Sequence, residues 1–177
     1  MDPETAIEPA TLEEVSTIAD CWVALASDQR THGSHLAAAA NRERILDSIA
    51  HHVAEGTLLV AWADVDEGGD RDGDERASES ESEIVGFVMF SIEQRLYAVS
   101  TTRGIVHNLY VVPERRGEGI GSELLSAAES ELAGRGAERI SLEALVGNDE
   151  ARRFYEAQGY TPHRIEFEKR AETDNTT

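Results

Sequence analysis

A chain of 177 residues is long enough for one domain with a sizeable core, and its 40% apolar content gives that core material. Its net charge of −19 repels nucleic-acid phosphates and argues against a nucleic-acid partner. No apolar run approaches the ~18 residues a membrane span needs, and Cys21, the single cysteine, excludes an internal disulfide.

The first element is a short strand, Ala6 to Ala10. Thr11 then caps a helix, with Glu14 completing a capping box. Leu12, Val15, Ala19, Trp22 and Leu25 form its apolar stripe, and the helix is expected to fade near Asp28. Cys21 lies in this helix and reads as a packing residue. The stretch from Gln29 to Ala40 is less regular and carries His32 and His35. No acidic or cysteine ligand accompanies these two at a known metal spacing, so no metal is expected. Asn41 caps a second helix with Ile45, Leu46, Ile49 and Val53 inward. His51 and His52 close it, where the helix dipole favours histidine, and Gly56 ends it.

Thr57 to Ala63 reads as an apolar strand. Residues 64–82 are dominated by Asp, Glu, Gly and Ser, cannot bury apolar surface, and predict a mobile acidic loop. Its carboxylates are not in register for a calcium loop. Ile84 to Ile92 resumes as a strand, with Gly86 placed for a bulge. Gly104 to Val112 is the central strand. A turn with three glycines follows, then a helix with Ile120, Leu124, Leu125, Ala128 and Leu132 on one face. Arg139 to Leu145 is another strand. Asn148 caps a short helix that Gly159 ends. An alternating run, Arg164 to Lys169, predicts a last strand, and residues 171–177 predict a disordered tail. Strands interleaved with helices give an α/β layer structure, here a single domain over residues 1–170.

The segment Leu109-Tyr110-Val111-Val112-Pro113-Glu114-Arg115-Arg116-Gly117-Glu118-Gly119-Ile120-Gly121 organises this order. A strand feeds a glycine turn that opens a helix. The first helical N–H groups have no partner and carry the positive end of the dipole, while glycine lets a phosphate approach the backbone. Arg116 can add a charge-assisted hydrogen bond.

Arg116-x-x-Gly119-x-Gly121 resembles the signature of the GNAT superfamily, the acetyl-CoA-dependent N-acetyltransferases. Asn148-x-x-Ala151-x-x-Phe154-Tyr155-x-x-x-Gly159-Tyr160 is similar to a second motif of that family, in the expected order. The resemblance is clearest over about residues 83–170. It implies a mixed, mostly antiparallel central sheet flanked by helices. It also implies that acetyl-CoA is the co-substrate. Pyrophosphate would bind Arg116, Gly117, Glu118, Gly119, Ile120, Gly121 and Ser122, and pantetheine would follow the main chain of Leu109, Tyr110 and Val111. Asn148 would border the cofactor. Tyr155 would protonate the departing thiolate.

Acetyl transfer to an amine needs a proton acceptor, because an ammonium has no lone pair. His107 is the first choice, at a strand position where several relatives carry glutamate; its ordinary pKa of ~6.5 suits the task. Glu143 on the next strand is the second, and water the third. The acceptor is a small-molecule amine or a protein amine, and a homodimer is in keeping with relatives. Two other readings stand beside this one: a silent acetyl-CoA-binding module, and a dinucleotide-binding turn whose third glycine comes one residue early. The acidic start of the chain and its lone cysteine read as cytoplasmic. Lys169 is the only lysine, and with the acidic excess this predicts a halophile's protein, stable when salt screens self-repulsion.

Overall fold

The computed structural model describes residues 5–64, 82–94 and 100–170. The predicted acidic loop, apart from its ends Asp64 and Ser82, lies outside these residues, as does the predicted tail at 171–177. The strands are β1 (Ala6–Pro9), β2 (Leu58–Asp64), β3 (Ser82–Ile92), β4 (Arg103–Val111) and β5 (Arg139–Ser141). The helices are α1 (Val15–Arg30), α2 (Arg42–Ala54), α3 (Ile120–Gly134) and α4 (Asp149–Ala157). The sheet runs β1-β2-β3-β4-β5 in chain order. Neighbours are antiparallel up to β4, and β4 and β5 are parallel, joined through α3. A mixed, mostly antiparallel α/β sheet is therefore the observed class. Among the described residues there is no doubly wound parallel sheet of the kind that serves dinucleotides.

Alternation along β2 explains the layers. Leu58 and Val60 face a cluster with Ile18, Ala19, Trp22 and Ile49 of α1 and α2. Leu59, Ala61 and Ala63 face the opposite cluster, with Ile120, Leu124, Leu125, Ala128 and Leu132 of α3. All five residues of that α3 stripe are buried. Truncating one of its leucines should cost about 2–5 kcal/mol.

Two irregularities interrupt the alternation. On β3, Ala61 pairs with Gly86 and Trp62 with Ile84, so Val85 is the extra residue of a bulge. A Cβ on Gly86 would sit 2.6 Å from the Tyr110 carbonyl oxygen, which is why β4 can approach so closely there. On β4, Asn108 pairs with Met89 and Val106 with Phe90, so His107 is the extra residue. Val106 therefore lies in the α3 layer together with Leu109 and Val111, three and five positions on.

Some boundaries differ from the sequence pattern. The Glu14 carboxylate accepts the Thr11 N–H at 2.6 Å, but a 3-10 turn at Leu12–Glu14 precedes α1, and α1 continues past Asp28 to Arg30. Asn41 precedes α2 without capping it. Its amide donates to the Ala37 carbonyl at 2.9 Å, because a 3-10 turn at Ala39–Asn41 already leads in. β5 stops at Ser141 rather than Leu145, since no pairing with β4 continues beyond Ile105↔Ser141. The last predicted strand does not form. Residues 161–170 are irregular, and Ile165 and Phe167 are 78% and 89% exposed. Alternation specifies a strand only where a sheet edge receives it, and β5 offers just three residues.

Candidate functional site

The site is built around the splay between β4 and β5. Their ladder covers only Arg103–Ile105 against Arg139–Ser141, so residues 106–111 of β4 have no strand neighbour on that side among the described residues. The side chains of Leu109 and Val111 pack into the α3 layer, and Tyr110 is buried on the other face against Phe87. The sequence reading gives these three residues a main-chain role toward a ligand, and their side chains are packed into the two layers.

Beyond Val111 the chain makes a 3-10 turn, Pro113–Arg115, then passes Gly117 and Gly119 at φ 85° and 93° before α3 begins. Both angles lie in the left-handed region where a side chain is strained. The Gly119 carbonyl accepts the N–H groups of Ser122 and Glu123. The N–H groups of Gly117, Glu118 and Gly119 find no acceptor among the described residues. These donors lie just ahead of the positive end of α3.

Arg116 is partly committed. Its Nε donates to the Val111 carbonyl at 3.1 Å, and its guanidinium lies 3.7 Å from Asp28. It ties the turn to the end of β4. Glu118 pairs with Arg115 at 2.7 Å. Gly121 has an ordinary helical conformation, and a Cβ there would touch Phe154 and Val111 at 3.6–3.7 Å. Gly121 thus sets the approach of α4, whereas Gly119 carries the conformational constraint. Ser122 accepts a hydrogen bond from Gln158 at 3.0 Å, and Tyr160 donates to Glu129 at 2.7 Å, so α4 is fastened to α3 at two points.

Asn148 caps α4 through the Ala151 N–H at 3.0 Å. The helix then presents Phe154 and Tyr155 edge to face, ring centres 5.2 Å apart, with Tyr160 6.0 Å beyond Tyr155. The Tyr155 hydroxyl has no hydrogen-bond partner among the described residues. Desolvation pushes its pKa up to about 12. The Tyr155 side chain is partly buried, and its hydroxyl is not among the enclosed polar atoms left without a partner.

At the other end of β4 lies a cavity of about 920 Å³, whose lining includes His51, His52, Ser91, Arg103, His107 and Glu143. The β4 bulge turns His107 into it. His107 Nε2 is 2.7 Å from Ser91 Oγ, and its ring lies 5.6 Å from that of His52. Desolvation lowers the His107 pKa, and Glu143 opposes the shift. The His52 pKa is also lowered, by desolvation first, then by His107 and His51. Cys21, half-buried in the α1 layer with its pKa raised by burial, does not line the cavity.

The structure thus brings His107 and Glu143 to one cavity on the α2 side of the sheet. Tyr155 packs in the α3 layer and does not line this cavity. His32 and His35 lie elsewhere, His32 Nδ1 at 3.2 Å from the Gly147 carbonyl and His35 at 3.3 Å from Glu168. Sequence reasoning missed Ser91 and gave His52 only a helix-dipole role. The adjacent pair His51-His52 was the one available signal. Among the described residues no helix is long and apolar enough to cross a membrane.

Residues 47–160 match the sequence profile of the family described as Acetyltransferase (GNAT) family. An aminoalkylphosphonate N-acetyltransferase from Salmonella typhimurium is 34% identical over 87 residues, 49% of this chain and 56% of that protein. N-alpha-acetyltransferase 30 from Schizosaccharomyces pombe is 38% identical over 68 residues, 38% of this chain and 45% of that one. The chain spans about half the length of the curated relatives it matches. Among solved structures, a GCN5-related N-acetyltransferase from Ralstonia eutropha superposes with TM-score 0.67 at 22% identity, covering 95% of this chain and 99% of the other. An aminoglycoside N-acetyltransferase in complex with CoA gives TM-score 0.65 at 13% identity, covering 96% and 97%. At such identities these two likenesses show the fold.

Proposed function

The chain belongs to the acetyltransferase (GNAT) family, and from that premise we propose that it transfers the acetyl group of acetyl-CoA to a primary amine by direct attack. The observation that supports this reading is the splay of β4 from β5, with unpartnered N–H groups at one end and a histidine-lined cavity at the other. The N–H groups at Gly117–Gly119 suit the pyrophosphate. The edge of β4 at Leu109–Val111 suits the amides of pantetheine, and an N–H of that edge suits the thioester oxygen as it gains charge.

The amine would reach the thioester from the α2 side, where His107 accepts its proton. A histidine whose pKa is lowered stays neutral near pH 7 and is ready to accept. Glu143 supports the imidazolium that forms. Tyr155, packed in the α3 layer with its hydroxyl unbonded among the described residues, would offer that hydroxyl to the gap. At a pKa of about 12 against ~8.5 for a free thiol, it favours donating a hydrogen bond to the leaving sulfur over complete transfer. Direct attack is preferred to an acetyl-cysteine intermediate because Cys21 is remote from the cavity and its thiolate is disfavoured.

Calorimetric titration with acetyl-CoA, with NAD as control, tests the first half of this reading. Binding of acetyl-CoA alone is expected, and binding of neither would remove it.

A further inference from the structure

The run Arg164-Ile165-Glu166-Phe167-Glu168-Lys169 alternates as a strand does, yet residues 161–170 are exposed throughout. Among the described residues no strand pairs with it, and none of its main-chain groups bonds to another main-chain group. The apolar members, Ile165 and Phe167, face no layer of the fold. A single exposed chain gains nothing from this pattern; a second strand beside it would satisfy the backbone and cover the apolar face.

Two contacts set this segment among the other exposed apolar side chains. His35 Nε2 lies 3.3 Å from Glu168, and His32 Nδ1 lies 3.2 Å from the Gly147 carbonyl. The connection between α1 and α2 therefore borders both this segment and the loop before α4. Leu36 and Val146, both exposed, each stand next in the chain to one of these contacts. With Ile165 and Phe167 they are four of the five large apolar side chains exposed among the described residues, so the exposure is gathered rather than scattered.

We infer that residues 163–169 pair, antiparallel, with the same residues of a second copy of this chain, about a two-fold axis at Glu166. The sequence is self-complementary in that register. Arg164 faces Glu168 of the second copy, and Ile165 faces its Phe167, each pair occurring twice about the axis. Opposite charges meet on one face and apolar side chains on the other. Pro162 has no N–H to give and ends the ladder just outside. The neighbouring registers that keep the faces together are poorer. An axis at Ile165 sets Pro162 against Glu168 and shortens the ladder. An axis at Phe167 sets Glu166 against Glu168 and Arg164 against Arg170. In the chosen register Glu166 faces Glu166, and this like-charge pair weakens the association. Little is given up in forming it, since the His35–Glu168 pair is exposed. A strand pair this short lies below the size of a permanent interface, so the dimer is reversible. The segment does not line the His107 cavity, and the inference is independent of the acetyl-transfer reading.

Sedimentation of the full chain across about two decades of concentration, from micromolar upward, reads the association. At ~0.3 M KCl the Debye length of roughly 5–6 Å screens the net charge of −19 on each copy and leaves contact pairs effective. The wild type should pass from monomer to dimer. Phe167→Glu should weaken the dimer about tenfold. Arg164→Glu and Glu168→Arg should each weaken it, and the double variant should restore it, because the pairs re-form with their signs exchanged. The register is read by oxidation of Glu166→Cys, made with Cys21→Ser so that the new thiol stands alone. On the axis the two thiols are opposite and should link the copies. Arg164→Cys in the same background sets them four positions apart, about 13 Å, too far to bridge. All these positions but Cys21 are exposed, so the fold should be kept, and a melting curve checks it. A wild type that stays monomeric throughout, or a dimer indifferent to Phe167→Glu and to the charge exchange, overturns the inference. Linking of Arg164→Cys as readily as Glu166→Cys overturns it as well.

Discussion

In the proposed reading the Val111 end of β4 works through main chain: N–H groups at Gly117–Gly119 without a partner among the described residues, and a strand edge beside the splay. The His107 end would work through side chains from α2, β3, β4 and the segment after β5, which line the cavity there. The first region is contiguous in sequence, and its requirements are conformational. The second is assembled across the fold, and its requirements are proton affinity and reach. A main-chain site should resist most side-chain substitutions and yield to changes of φ. A side-chain site should behave in the opposite way.

The sharpest way to break this contrast is at His107. His107→Ala should lower turnover by about 10²- to 10⁴-fold, the usual range for acid–base help, with acetyl-CoA affinity nearly unchanged by calorimetry. Equal losses of turnover and affinity would show that the two ends are not separable. Tyr155→Phe comes next. It keeps the edge-to-face packing with Phe154 and Tyr160 and removes one hydroxyl, so turnover should fall roughly ten- to a thousandfold under conditions where chemistry limits the rate. Full activity would make Tyr155 a packing residue.

At the main-chain end, Gly119→Val forces a β-branched residue to φ near 93°. The strain, of order 1–3 kcal/mol, should displace the Gly117–Gly119 donors and weaken acetyl-CoA binding about tenfold or more. Gly121→Ala should do less, because a Cβ there meets only ordinary contacts. Comparable losses from both would contradict the assignment of the constraint to Gly119.

The smaller effects are on stability. His52 and His107 both have lowered pKa values, so the folded state prefers them neutral. Their contribution is fully present above the ordinary value of ~6.5 and is lost as pH falls through the lowered folded values. The melting temperature should therefore fall on acidification below that point, and a His52→Asn, His107→Asn double variant should flatten the slope. Both ends share the acidic surface, with its net charge of −19. Melting temperature should rise by a few degrees from low to molar KCl if that surface is salt-adapted; a flat response would reject the salt reading and leave the site untouched.

The same contrast explains what the sequence discloses. Gly117, Gly119 and the α3 stripe are legible because each follows from a local rule: left-handed φ, unpartnered helix-start donors, a 3.6-residue period. Tyr155 is legible through its motif. His107 was found by its place on β4, but the bulge that turns it into the cavity depends on the pairing with Met89 and Phe90. Ser91 and His52 reach His107 only through tertiary packing, across 16 and 55 positions of chain (107 minus 91, and 107 minus 52); no local pattern marks Ser91, and only the adjacent pair His51-His52 hints at the other. The alternation at Arg164–Lys169 misled for the same reason in reverse, since a strand pattern says nothing of whether an edge is there to receive it. Asn41 shows the limit of residue type alone: the correct residue for a cap, it donates backward to Ala37.

The most direct test of acetyl transfer by a separated acceptor side is thiol release from acetyl-CoA measured with and without an amine panel, in wild type and in His107→Ala, with cofactor affinity measured in parallel. The account predicts release that depends on the amine in the wild type and is lost in the variant, while both proteins bind acetyl-CoA alike. Acetyl-CoA binding without amine-dependent release across a broad panel of acceptors, or release that His107→Ala leaves intact, would contradict it.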